Sequence, residues 1–193
     1  MVRLTIFLIL TLIPWRVANA ETESIISKIQ GGWNEIETMS GDFSQFDKDG
    51  DIENGKFYFF KPYLSKFVYT NKNEDIVTNE SLLRIVDKEG FQIDSYLIGG
   101  NVLKKLLSNN LDINKEFKIE YAIENEFNYE IKAGDKNDKN MSYVILTFNK
   151  DTIELKKWEI SDELNNKTVL EFTNIKKNIF ISQNLFAVKY RRN

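Results

Sequence analysis

The sequence predicts one mainly β domain, an antiparallel meander with a few helices, behind an export signal. Two patterns carry this. From Ser40 to Tyr190 apolar and polar residues alternate in short runs joined by a few polar residues, and parallel strands would need longer crossovers than that spacing leaves. Two stretches instead repeat apolar residues at three- and four-residue steps, the mark of helices.

The N-terminus comes first. Arg3 supplies a positive charge, Leu4 to Ile13 an apolar run, and Ala18-Asn19-Ala20 a cleavage site, so a mature chain of about 173 residues is expected to start at Glu21. The run is well short of the ~20 residues that span a bilayer, and Pro14 and Arg16 end it. Residues 1–20 are thus expected to be a signal peptide and 21–193 a single domain in the periplasm. The cleavage site is not followed by a cysteine, so a lipid anchor on the mature chain is not expected.

Glu21 to Thr38 reads as an amphipathic helix through Ile25, Ile26, Ile29, Trp33 and Ile36, with Gly31-Gly32 predicting a kink or an end. Phe43 and Gln45 alternate before a turn at Asp49-Gly50. Strands follow at Ile52 to Phe60, Ser65 to Thr70, Ile76 to Thr78, Leu82 to Val86 and Phe91 to Tyr96. Gly99-Gly100 precedes a short helix, Val102 to Leu107, which Asn109-Asn110 ends. The meander resumes at Phe117 to Tyr121, Phe127 to Ile131, Tyr143 to Phe148, Ile153 to Ile160, Val169 to Phe172 and Phe186 to Tyr190, with a polar loop at Asp135 to Asn140.

Absences narrow the chemistry. The chain has no cysteine and no histidine, which removes disulfides, thiolate nucleophiles, imidazole bases and the usual transition-metal ligands. A net charge of −3 argues against a nucleic-acid partner. Asp47, Asp49, Asp51 and Glu53 crowd Gly50, but the glycine falls at position four of a calcium-loop count and position twelve is Tyr58, so a solvated turn is the better reading. Glu120, Glu124, Glu126 and Glu130 sit among lysines and asparagines like an ordinary exposed face. Catalysis, metal and cofactor are therefore not expected; a small β-sandwich hydrolase with paired carboxylates is the alternative from another class.

The informative residues are apolar. In Gly55 to Pro62 the odd positions share one strand face, and Phe57, Phe59, Phe67 and Tyr69 are expected on one apolar face of the strand pair. Ordinary β cores are filled with Val, Ile and Leu; here aromatics dominate. A doubly covered strand in an ordinary core is the plainer reading of the same run.

With these residues the chain resembles the outer-membrane lipoprotein carrier family, LolA, over essentially its whole length. Phe43-Ser44-Gln45 matches a phenylalanine-x-glutamine in the family's first strand, and Gly55 to Pro62 its glycine-led strand ending in arginine-proline. Ser65-Lys66-Phe67-Val68-Tyr69 matches its aromatic-rich strand, and Leu83 to Asp87 with Gln92 a later strand pair. Val102 to Leu107 matches the lid, and Leu155, Trp158, Ile160, Asp162, Leu170 and Phe172 the late hairpin. The chain departs in having Lys61 for the family arginine, Ser65 for an aromatic and Phe67 for tryptophan, and in ending soon after Tyr190.

The resemblance implies an unclosed antiparallel half-barrel with an N-terminal helix and a helical lid over a hydrophobic cavity. It implies a periplasmic carrier, a monomer that holds the acyl chains of lipoproteins and shuttles them from the inner to the outer membrane. The wall would comprise Phe43, Phe57, Phe59, Phe67, Tyr69 and Trp158, and the lid Val102, Leu103, Leu106 and Leu107. Lys61 would be a latch, its ammonium reaching carbonyls at Leu107 to Asn110; a solvated lysine is the blander reading. Implied partners are acylated lipoproteins, an inner-membrane lipoprotein-releasing ABC transporter and, where one exists, an outer-membrane receptor. A generic periplasmic lipid or glycolipid shuttle, or a sensor domain of the same fold, remains the alternative.

Overall fold

A computed structural model describes residues 14–79, 81–97, 102–136, 141–162, 164 and 166–191. The expected signal sequence through residue 13, the Gly99-Gly100 pair and most of the Asp135 to Asn140 loop lie outside the described residues. Helix α1 spans Pro14–Asn34, opening ahead of the expected cleavage site and ending before Thr38. It buries Ile25, Ile26, Ile29 and Trp33, the stripe read from the spacing. The Gly31-Gly32 pair does not end it. A Cβ on Gly32 would come within 2.7 Å of the Ile153 side chain, so that glycine lets the helix settle on the sheet.

The strands are β1 (Thr38–Phe46), β2 (Ile52–Phe60), β3 (Leu64–Tyr69), β4 (Glu74–Asn79), β5 (Leu82–Asp87) and β6 (Gln92–Leu97). After α2 (Val102–Leu106) and α3 (Ile113–Glu116) come β7 (Phe117–Glu124), β8 (Asn128–Asp135), β9 (Met141–Asn149), β10 (Leu155–Asp162) and β11 (Lys167–Lys177). They form one sheet in the order β6-β5-β4-β3-β2-β1-β11-β10-β9-β8-β7. Each neighbour pair is antiparallel. Two meanders thus meet where β1 pairs with β11, and β6 and β7 stay apart as the sheet's edges. The mainly β, unclosed half-barrel is the architecture the sequence predicts.

Aromatic rings laid over glycines let the sheet coil. A Cβ on Gly55 would run into the Val68 carbonyl oxygen and lie 2.7 Å from Cε1 of Phe43; one on Gly41 would lie 2.5 Å from the Thr173 carbonyl and 2.8 Å from Cε1 of Phe57. Gly55 stands opposite Phe43, and Gly41 opposite Phe57, in the β1–β2 register. The two glycines surrender side-chain volume so that backbone and ring can close together at the bend.

Three expected strands are corrected. Ile153 turns at φ 54°, so β10 begins only at Leu155. Phe127 is exposed at a hairpin tip where Asn125 Oδ1 accepts its amide, so β8 begins at Asn128. Phe186 to Tyr190 is not a meander strand. A 3-10 turn, Gln183–Phe186, precedes a single parallel bridge of Lys189 to Phe91. Residues 178–190 lie across the outer face instead: Ile181 and Phe186 pack with Val77 and Val86, with Tyr58, Phe60 and Leu64 beside them. The alternate positions of β2 are apolar because this segment covers them, a burial that alternation alone does not show. Thr38 Oγ1 donates to Ile179 O (2.6 Å), and Lys189 N donates to Gly90 O (2.8 Å).

Gly55→Ala should cost about 1–3 kcal/mol or more by forced overpacking, whereas Gly134→Ala, with open space at its Cβ, should stay within about 0.5 kcal/mol. Urea unfolding of the two variants checks whether the Gly55 approach sets the curvature.

Candidate functional site: the concave wall and its lid

The odd positions of β2 and β3 face inward. Phe57 and Phe67 pair across the strands, as do Phe59 and Ser65, and Gly55 and Tyr69. Phe43 meets Phe67 edge-on at 5.3 Å and Tyr69 at 5.1 Å; Phe57 meets Phe172 at 4.9 Å, and Phe59 meets Phe67 at 5.7 Å. Such near-perpendicular pairs suit the ring quadrupoles. Phe43, Phe57, Phe59, Phe67, Tyr69 and Trp158 lie in one buried cluster with Val102, Leu103, Leu106 and Leu107. The structure therefore brings together all ten apolar residues singled out in the sequence. Between Trp33, Phe59, Lys61 and Leu107 only ≈ 10 Å³ is free, so the lid rests directly on the wall.

The lid is one short helix. Alone it would not hold together in water, and its last carbonyls need partners. Trp33 Nε1 donates to Leu106 O (2.7 Å), and Tyr63 N donates to Leu107 O (2.9 Å). Tyr63 sits at φ 67°, which turns its amide toward the lid. Lys104 Nζ donates to Ser81 Oγ (2.7 Å). The chain beyond the lid is tied to α1 through the paired amides of Asn34 and Leu111 and through Gln30 Oε1, which accepts from Ile113 N.

Lys61 is buried, but not on the acceptors expected for it. Its Nζ donates to Trp33 O at 2.6 Å and lies 5.1 Å above the Trp33 ring. The Leu106 and Leu107 carbonyls are taken by the indole and by Tyr63. The C-terminal end of α1 offers Lys61 both a carbonyl and an aromatic face. The hydrogen bonding of Lys61 among the described residues therefore reaches the lid through Trp33. Burial lowers its pKa from 10.5 to about 8.

Trp33 is the residue the sequence reading undervalued. Its indole holds the lid, its carbonyl holds Lys61, and its ring meets Phe148 edge-on at 5.7 Å. Its place on the α1 stripe showed burial, but not what its polar atoms touch. Lys105 was also missed: a lid lysine, buried, with Nζ donating to Glu116 O (3.2 Å) over the Phe117 ring.

Polar groups are few on the wall. Tyr69 OH donates to Gln45 Oε1 (2.9 Å), and Ser65 and Thr78 share a hydrogen bond. Burial, helped by Glu53 and Asp75, pushes the Tyr69 phenol up to about 12. The carboxylates weighed as a catalytic pair are spread along β7 and β8. Lys132 pairs with Glu120, Lys150 with Glu124, and Tyr121 OH donates to Glu130. Asp47 is a turn residue, its Oδ1 accepting the amides of Asp49 and Asp51. Among the described residues no group of three or more acidic side chains is placed to hold a metal ion.

Fold and interior together define an unclosed β half-barrel with an aromatic concave wall and a helical cover. The family model described as outer membrane lipoprotein carrier protein LolA matches residues 34–189, and the chain belongs to that family. It is 30% identical over 183 residues to the outer-membrane lipoprotein carrier protein of Francisella tularensis subsp. tularensis, covering 89% of this chain and 85% of that one. It is also 30% identical to the protein of the same name from Francisella philomiragia, covering 92% and 87%. Among solved structures, an uncharacterized conserved protein from Thermus thermophilus superposes with a TM-score of 0.52 at 9% identity, over 88% of this chain and 98% of that one. MucB in the Pseudomonas aeruginosa MucA/MucB complex gives 0.52 at 8% identity, over 87% of this chain and 61% of that one. The chain thus spans about six-tenths of the MucB chain, and both likenesses concern the fold.

Lys61 supplies a pH test. Below about pH 8 it is charged in folded and unfolded chains alike, and folding carries the full burial cost. Between about 8 and 10.5 the unfolded chain binds that proton more firmly, so stability rises with pH. Thermal unfolding across this window should show the parent gaining on Lys61→Leu, which has no such group. A constant difference would mean that the ammonium is not penalised.

Proposed function

We propose that the protein is a periplasmic carrier that shelters the acyl chains of lipoproteins in its half-barrel and shuttles them from the inner to the outer membrane, without covalent chemistry. The observation that carries this reading is the aromatic wall lying directly beneath a short, separately tethered helix. Membership of the carrier family supports it. On this reading the cargo comes from an inner-membrane lipoprotein-releasing ABC transporter and passes to an outer-membrane receptor where one exists.

Magnitudes favour loading. One long acyl chain removes on the order of 12 kcal/mol of apolar exposure at about 0.8 kcal/mol per methylene. The lid's hydrogen bonds are worth about 1 kcal/mol each. Chains entering between lid and wall replace contacts of Leu106 and Leu107 with contacts of their own, so the opening cost is small beside the gain. Lys61 acts as a latch at one remove: it fixes the end of α1, and Trp33 on that helix holds the lid.

A triacylated lipopeptide should displace an environment-sensitive hydrophobic dye from the purified protein, and Phe59→Glu or Phe67→Glu should weaken that binding at least tenfold by placing a charge in the wall. A fluorophore on the lid at position 104 should respond to the lipopeptide. No displacement by the parent at saturating lipopeptide, with a silent lid probe, would overturn the carrier reading.

Trp33→Phe separates the lid from the latch. Losing the indole donor leaves Leu106 O unpaired in the closed empty form, so that form should weaken by about 1 kcal/mol. Lipopeptide affinity should then rise about fivefold, with slower release in a stopped-flow chase.

A further inference from the structure

Among the described residues, the buried polar atoms of the wall find partners with one exception. Trp33 Nε1 and the Tyr69 hydroxyl both find acceptors. Trp158 is 4% exposed, yet its Nε1 has no hydrogen-bond acceptor among the described residues. Two other buried polar atoms among the described residues lack partners: Thr147 Oγ1, on the opposite strand face from Leu146, and Glu53 Oε2, whose companion oxygen pairs with Lys72. Neither is an unpaired donor within the apolar wall.

Register places this donor among carbon. Trp158 stands opposite Leu170 on one side and Leu146 on the other; Leu170 in turn faces Gln45, and Leu146 faces Ile131. Gln45 already accepts from Tyr69. A phenylalanine would fill much of the same space and leave nothing unsatisfied, whereas a buried unpaired donor is costly. An indole N–H kept in a wall of hydrocarbon has a use when a ligand brings an acceptor to it.

We infer that Trp158 is a specificity-determining residue of the cavity, whose Nε1 donates to the carbonyl oxygen that joins an acyl chain to its headgroup. This rests on the carrier reading above and deepens it: the cavity would recognise carboxylic ester or amide linkages and discriminate against plain hydrocarbon or ether of equal length. Esters and amides offer the same acceptor, an sp² oxygen at the head of an otherwise apolar chain. Ether oxygens are much weaker acceptors, and a site built around a donor rejects a ligand that leaves it unpaired.

The test compares binding of dipalmitoylglycerol, its dihexadecyl ether counterpart and N-hexyl palmitamide to the parent and to Trp158→Phe, by dye displacement. The parent should prefer the diester to the diether about five- to tenfold, the worth of one hydrogen bond to a buried carbonyl. Trp158→Phe should lose that preference by binding the diester less tightly while binding the diether unchanged. It should also unfold at the same or a higher temperature, because it removes an unpaired donor, so loss of fold is not an alternative cause. In the parent a carbon-13-labelled ester carbonyl should absorb at lower wavenumber than in the variant. The amide arm separates the two sources: a loss of affinity on Trp158→Phe shared by the palmitamide assigns the donor to both linkages, and one confined to the diester assigns it to esters. Equal binding of diester and diether by the parent, or a preference that survives Trp158→Phe, overturns the role of Trp158 and leaves the carrier reading standing. Failure of the parent to bind any of the three overturns both.

Discussion

Curvature is the constraint on which the rest depends. An eleven-stranded antiparallel sheet must coil, and this one does so where Gly41 and Gly55 let the rings of Phe57 and Phe43 lie against backbone. Were the sheet flatter, the aromatic positions of β2, β3 and β11 would spread out and one short helix would not cover them. The same bend keeps β6 away from β7, so the barrel has a mouth and the segment from Val102 to Phe117 has something to cross.

What covers the mouth is held differently from what forms the wall. The wall is backbone pairing and interlocked rings, interactions that fail only together. The lid is tied by individual polar contacts to Trp33, Tyr63, Ser81 and Glu116. A helix of five residues has little cooperativity of its own. Its position is therefore set by its tethers, and its apolar side can exchange one hydrocarbon surface for another. A rigid wall beneath a replaceable cover suits a ligand that must be held without being trapped.

Much of this was legible from the residues. The parity of Phe57, Phe59, Phe67 and Tyr69 places them on one face because strand geometry fixes side-chain direction, and the α1 stripe and lid helix follow from spacing for the same reason. Where the reading failed, the deciding contact was distant in sequence. The acceptor for Lys61 lies in α1, 28 residues away, and parity cannot say which carbonyl comes within reach. The Gly31-Gly32 pair looked like a breaker because propensity counts conformational freedom; Gly32 is instead a seat for Ile153. Phe186 to Tyr190 alternates like a strand, yet it covers the outer face, where alternation serves packing rather than pairing. Trp158 was legible as apolar, but the loneliness of its nitrogen needs the neighbouring strands.

The junction of β1 with β11 bears on the order in which the molecule takes shape. Met39 of β1 stands opposite Lys177 of β11, so the first strand waits for the last. Until then one side of β1 is an unpaired edge, and Phe172, which faces Phe43 across that edge, has yet to arrive. Contacts this remote slow folding because the intervening chain must first be gathered in. Strands β1 to β6 each pair with a sequence neighbour, as do β7 to β11, whereas the two meanders are joined only once β11 has been made. The seam between them is thus the last part of the sheet to close, and an unpaired strand edge is open to pairing with another chain until it does.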